Sequence, residues 1–244
     1  MAYQAVFKRY ELKFLLTRAQ REEILAAMEP YMALDKYGHT TIRNIYFDTP
    51  DYRLIRRSIE KPAYKEKLRV RSYRETGAES KVFVELKKKY DKVVYKRRVS
   101  LPEGEAMAWL CGDKHTDQHC QITAEIDYFL HFYQDLRPAV FLSYEREAYY
   151  CKNGGDFRIT FDENILCRQE ELTFGGGVWG TPLLEQDRVL MEVKCSGGLP
   201  LWLTGELSRL GVYKTSFSKY GTAYQNLIYP KEKREHGNVI QRIV

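Results

Sequence analysis

The sequence predicts an α+β fold in which an antiparallel sheet or barrel carries helices on its outside. Three observations carry that expectation. Eight stretches alternate apolar and polar residues at a period of two, six stretches with helical spacing or helix-start signals sit between them, and their order shows no regular βαβ repeat. At 244 residues with 44% hydrophobic content the chain can bury a substantial core. One domain over residues 1–230 followed by a basic tail over 231–244 is the expected division.

The expected strands are 5–15, 40–48, 64–73, 81–88, 93–100, 139–149, 157–162 and 189–195. Helices are expected over 17–28, 51–59, 103–110, 122–136, 201–210 and 220–228. Thr17 is the cap of the first and puts Ile24, Leu25 and Met28 on one side. Pro50 and Pro102 precede the second and third, where a ring-fixed φ suits a helix start. The 122–136 segment is rich in aromatics. Residues 175–182, GGGVWGTP, form the most irregular stretch and are expected to be a mobile loop.

Lys and Arg total 39 against 33 for Asp and Glu, a net charge of +6 that points only weakly to an anionic partner. Five cysteines, at 111, 120, 151, 167 and 195, form no CxxC pair and read as ordinary thiols in a reducing compartment. The first residues lack an apolar signal-peptide core, and no run approaches the roughly 20 apolar residues that a membrane-spanning helix needs. A cytoplasmic protein without a transmembrane segment is expected; a membrane-protein partner is not specified.

Charge placement says more than charge balance. In YKEKLRVRSY, residues 64–73, a strand puts Lys65, Lys67, Arg69 and Arg71 on one face and Leu68 and Val70 on the other. The same reading groups Arg9, Glu11 and Lys13; Glu85 and Lys87; Lys96 and Arg98; Tyr144 and Arg146; Arg158, Thr160 and Asp162; and Glu192 and Lys194. Any one such face could be a solvated exterior. Recurrence of Arg and Lys in register on most strands, with sparse acids, favours a bound polyanion, because burying unpaired charge costs several kcal/mol per ion. Arg forks to phosphate oxygens and Lys adds a point charge, while a carboxylate suits a divalent cation bridging phosphates. His115, His119, His131 and Asp127 lie on or before the aromatic helix and read as structural. No nucleic-acid partner is expected, since the tyrosines alternate with cations less often than base stacking requires.

An ordered series of motifs then points to a family: RYELKF at 9–14, IYFDT at 45–49, KLRVR at 67–71, VELKKK at 84–89, YEREAY at 144–149, RITFD at 158–162, MEVK at 191–194 and SFSKY at 216–220. Together they resemble the VTC domain, the polyphosphate polymerase branch of the CYTH-like triphosphate tunnel metalloenzymes, over residues 7–228. The resemblance implies an eight-stranded antiparallel tunnel that binds triphosphate or polyphosphate. It also implies transfer of the γ-phosphate of ATP to a growing chain, with Mn²⁺ or Mg²⁺. Carried over by motif, Arg69, Arg71, Arg146, Arg158 and Lys219 are catalytic candidates. Lys13, Lys87, Lys96, Tyr144, Ser218, Arg9 and Lys194 are phosphate-binding candidates, and Glu192 with Glu11 are metal candidates. Two departures stand out: Arg9 replaces the first glutamate of the hydrolases' ExExK, and Ser216 stands where the polymerase pattern has lysine, with Lys214 the nearest substitute. A metal-dependent tripolyphosphatase or nucleoside triphosphatase and a non-catalytic polyphosphate-binding module are the alternatives.

Overall fold

The structure is a computed structural model and describes residues 10–73, 76–91, 93–112 and 114–233. Arg9 and the tail from residue 234 lie outside the described residues. The strands are β1 (Tyr10–Thr17), β2 (Met32–Leu34), β3 (Thr40–Asp48), β4 (Tyr64–Ser72), β5 (Lys81–Tyr90), β6 (Val93–Pro102), β7 (Arg137–Cys151), β8 (Arg158–Arg168), β9 (Thr181–Pro182), β10 (Arg188–Cys195) and β11 (Lys214–Thr215). The helices are α1 (Arg18–Met28), α2 (Arg53–Ile59), α3 (Glu103–Cys111), α4 (Gln121–Tyr133), α5 (Leu201–Arg209) and α6 (Lys219–Ala223), which runs on into a π turn over Tyr224–Ile228. The α+β class with antiparallel pairing is as expected. The eight expected strands are all present, and the three further ones are two or three residues long.

The described chain groups into two compact units. The first holds residues 10–41, 144–165 and 184–217, and its strands follow the order β11-β1-β10-β8-β7, with β2 on β7. Opposite residues in an antiparallel pair share a face. The register Lys13↔Glu192↔Thr160 and Glu11↔Lys194↔Arg158 therefore builds one charged face. The opposite face, Phe14, Leu16, Met191, Val193, Ile159 and Phe161, is covered by Ile24 and Met28 of α1 and Leu203 and Leu207 of α5. Each such buried side chain is worth about 1.5–3 kcal/mol, and a slip of one residue would exchange the two faces, so the core fixes the register that aligns the charges. Thr17 caps α1 as expected, its hydroxyl accepting from Gln20 N at 3.1 Å while Gln20 Oε1 accepts from Thr17 N at 2.9 Å.

The second unit holds residues 42–143, 166–183 and 218–233, with strand order β7-β3-β4-β5-β6. Leu68, Val70, Val82, Val84, Leu86, Val99 and Leu101 face the helices, packing with Trp109 of α3 and Ile126 and Phe129 of α4. The other face carries three rungs across β4, β5 and β6: Lys67–Lys87–Lys96, Arg69–Glu85–Arg98 and Arg71–Phe83–Ser100. From β3, Tyr46 and Asn44 stand opposite Arg69 and Arg71. The buried Asp48 fastens the start of α2 by accepting from Leu54 N, Ile55 N and Thr49 N at 2.8–3.0 Å, and from the Tyr220 hydroxyl at 2.9 Å. These bonds satisfy helix-start donors that would otherwise be orphaned.

Residues 175–182 depart from the mobile loop expected of them. The buried Arg168 donates to five main-chain carbonyls, those of Glu170, Glu171, Thr173, Gly177 and Trp179, at 3.0–3.3 Å. Its guanidinium lies 3.6 Å over the Phe141 ring. Gly180, at φ +146°, is required where the loop returns to β9, since a Cβ there would meet Cys167 O at 2.5 Å.

Candidate functional site

The charged face of the second unit centres on Glu85, whose side chain is 1% exposed. Arg69 donates to Glu85 Oε2 through Nε at 2.8 Å, with Nη2 at 2.7 Å. Arg71 Nε is 3.9 Å from the same oxygen; Lys96 Nζ is 2.6 Å and Arg98 Nε 3.3 Å from Oε1. Four cations thus meet at one carboxylate. Burial pushes the Glu85 carboxyl up, but Arg69, Arg71 and Lys96 outweigh it and hold the group well below the usual carboxylate range. Lys96 pays in the other direction: burial draws its ammonium below its ordinary value despite Glu85. The neighbouring rung sets Lys67, Lys87 and Lys96 side by side, and like charges directly opposite are destabilising unless an anion screens them.

Around this centre, Asn44 Oδ1 accepts from Arg71 Nε at 3.0 Å and the Tyr46 hydroxyl accepts from Arg69 Nη1 at 2.8 Å. Arg98 Cζ lies 3.6 Å over the Phe83 ring, and its Nη2 donates to the Tyr73 hydroxyl at 3.1 Å. Lys67 Nζ donates to Ser218 Oγ at 3.2 Å; that oxygen also caps α6 by accepting from Gly221 N at 3.2 Å. Lys219 opens α6 and is half-buried.

On the first unit the charges are matched. Arg146 grips Asp162 through Nε and Nη2, the latter at 2.6 Å, and reaches Glu192 Oε2 at 3.1 Å. Its guanidinium sits 5.1 Å from the Tyr144 ring centroid. Burial lowers the Arg146 pKa, but Asp162, Tyr144 and Glu192 raise it further, so it stays charged. Lys13 Nζ donates to Phe217 O at 2.8 Å and lies 3.4 Å from both Glu11 Oε1 and Glu192 Oε1. Lys194 lies 3.9 Å from Glu11 Oε2, and Arg158 pairs with Asp35 at 3.3 Å.

The donor set of this face fits a divalent cation. Two carboxylates, Glu11 and Glu192, converge on one ammonium, and the Thr160 hydroxyl directly across from Glu192 is buried with no hydrogen-bond partner among the described residues. No cluster of three or more His, Cys, Asp or Glu side chains suited to a metal occurs among the described residues. One or two carboxylates completed by phosphate oxygens and water is the Mg²⁺ pattern.

The sequence-derived candidates therefore divide into two sets. Glu11, Lys13, Tyr144, Arg146, Arg158, Glu192 and Lys194 belong to the first unit, and Arg69, Arg71, Lys87, Lys96, Ser218 and Lys219 to the second. Lys214 does not stand in on the charged face: it lies opposite Phe14, on the apolar side of β1. Glu85, Arg98, Thr160 and Asp162 fall on the charged faces that the strand period predicts but carried no assigned role, and Tyr46 and Asn44 were not singled out. Tyr46 and Asn44 could have been found by running the period of two along 40–48, which puts them and Asp48 on one face.

The family model described as the VTC domain matches residues 8–228, nearly the whole chain. The chain belongs to the VTC domain family. No curated protein matches this VTC chain in sequence. Its fold is shared with a Bacillus halodurans protein named as a suspected adenylate cyclase, at a TM-score of 0.53 and 14% identity, over 87% of this chain and 94% of that one. HpAC1 from Hippeastrum, a suspected adenylyl cyclase described as revealing a dominant triphosphatase activity, matches at a TM-score of 0.52 and 16% identity, over 88% and 94% of the two chains. At these identities the likeness is one of fold.

Proposed function

We propose that this VTC-domain chain is a metal-dependent phosphotransferase that moves the γ-phosphate of ATP onto a polyphosphate chain. The observation that carries the reading is the meeting of Arg69, Arg71, Lys96 and Arg98 at the single carboxylate of Glu85, beside the Lys67–Lys87–Lys96 rung. Phosphoryl transfer asks a protein for in-line positioning and compensation of charge on the equatorial oxygens. In this reading Arg69 and Arg71 hold the transferred phosphoryl, with Glu85 fixing their directions. Lys87 and Lys96 hold adjoining phosphates, and Lys219 and Ser218 flank them. Taken by itself, the first unit would contact phosphate oxygens through Arg146 and Arg158, with Lys13, Tyr144 and Lys194 supporting them. Glu192 and Glu11 would hold Mn²⁺ or Mg²⁺, which supplies further neutralisation of phosphate charge.

A triphosphatase is the second reading, favoured by the activity described for HpAC1 and by the carboxylates of the first unit. A non-catalytic polyphosphate binder has little use for Glu11 and Glu192 on a cationic face. The partners in each reading are ATP and polyphosphate or triphosphate, with nucleic acid unsupported and a cytoplasmic setting proposed. Among the described residues no helix is long and apolar enough to cross a membrane.

Incubating the purified chain with ATP and Mn²⁺ and separating the products on a gel tests the assignment. Polymer with stoichiometric ADP is expected, and Arg146→Ala or Glu192→Ala should slow its formation roughly a hundredfold, as for loss of about 2.7–4 kcal/mol of transition-state contact. Free phosphate without polymer would select the triphosphatase, and unchanged rates in the variants would remove Arg146 and Glu192 from the site.

A further inference from the structure

The outer end of the β4–β5–β6 sheet carries an aromatic surface that phosphate handling does not use. Tyr64, Tyr90 and Val93 form one rung across the three strands, and Tyr95 follows on β6. All four lie on the side away from the Lys67–Lys87–Lys96 rung. The surface continues onto α4. The Tyr64 hydroxyl and the Tyr133 hydroxyl both donate to Glu66, and the Tyr133 ring packs edge-on against Phe132 at 5.0 Å, which stacks on Tyr128 at 6.2 Å. Exposure runs from 36% at Tyr64 to 59% at Tyr90 and 66% at Tyr128, so these rings face solvent rather than a core. A contiguous exposed apolar surface on an otherwise polar protein marks an interaction site.

We infer that this surface docks onto an anionic phospholipid bilayer. Charge complementarity decides the occupant. Arg53 and Arg57 of α2 line a pocket with Tyr64, Lys65 and Glu66, and Lys88 shares the face of Tyr90 on β5, while Lys65 and Lys89 stand on the opposite face of the same strand pair. The nearby acids Glu66 and Glu125 are matched by Lys88 and Arg97, and Asp91 stands in the hairpin turn, so the positive excess comes from Arg53 and Arg57 together with the lysines of the strand pair. Phenol rings with a valine between them, rimmed by long cationic side chains, match the interfacial layer of a membrane, where the rings sit among headgroups and the cations meet lipid phosphate. A second copy of this chain would bring the same positive rim against itself. Single-stranded nucleic acid fits less well, because Val93 offers no stacking face and the Tyr64 and Tyr90 rings, tilted by 59°, make no parallel platform.

Vesicle co-sedimentation with the full chain tests the inference. Binding is expected to vesicles rich in phosphatidylglycerol and not to pure phosphatidylcholine, and it should weaken with added salt. Tyr90→Ser with Val93→Ser on the hairpin, and separately Tyr128→Ser with Phe132→Ser on α4, should each weaken it at least about tenfold. Because the two variants alter different elements, misfolding of one leaves the other decisive. Absence of vesicle binding, equal binding to both lipids, full binding by a folded variant, or preference for an oligonucleotide or a second copy over vesicles would overturn it.

Discussion

Tyr46 shows how strongly the cationic face acts on a single group. Burial pushes its phenol up, but Arg69, Lys67 and Arg71 pull it down further, to about 8. The folded pKa is thus below the unfolded value of about 10. Ionisation of Tyr46 therefore contributes stability that is fully present above about pH 10 and is lost as the pH falls through about 8. A spectrophotometric titration should show one tyrosine ionising near pH 8 that is missing in Tyr46→Phe, and saturating tripolyphosphate should move that step upward by screening the cations. Identical titration curves for the two proteins would contradict this placement. The strand period was enough to put Arg69 and Arg71 on a common face, because alternation is a property of one strand. It could not show that Glu85 and Arg98 join them, since that depends on the register between strands, nor that Arg158 turns to Asp35, which comes from a distant connection.

At the scale of elements, the Arg168 loop carries the sharpest contrast between composition and structure. Its glycines signalled a mobile segment, but glycine content reports the freedom of the unfolded chain and says nothing of an anchor reaching in from β8. Arg168→Ala would leave five carbonyls without their donor, at a cost of about 3 kcal/mol or more. Thermal unfolding should fall accordingly, and limited proteolysis should cut first within residues 170–180; equal protection of variant and parent would show that the guanidinium does not hold the loop. Regular elements were far more legible. The long strands and all six helices follow from periodicity and caps, with Thr17 the clearest signal. The short β2, β9 and β11 left no trace because a strand of two or three residues exists only through its partner.

On the scale of the whole molecule, the net charge of +6 is a poor guide, because the charge is divided unequally between the two units. One unit matches Lys13, Arg146, Arg158 and Lys194 with Glu11, Glu192, Asp162 and Asp35, whereas the other gathers four cations about Glu85. The motif series made the family legible from the sequence, and the family model agrees over residues 8–228. The unequal division was not legible, since it arises from which acids the register sets beside which cations. In the proposed function a phosphate chain would be the ligand of each arrangement, one through the cations gathered at Glu85 and one through carboxylates that could share a metal with it. Calorimetric titration with tripolyphosphate in the presence of Mg²⁺ tests this most directly. The account predicts binding tighter than that of orthophosphate, weakened by salt, and reduced at least about tenfold by Arg69→Ala and by Arg146→Ala, each removing a charge-assisted contact; equal affinity for the two anions, or variants that bind as the parent does, would contradict it.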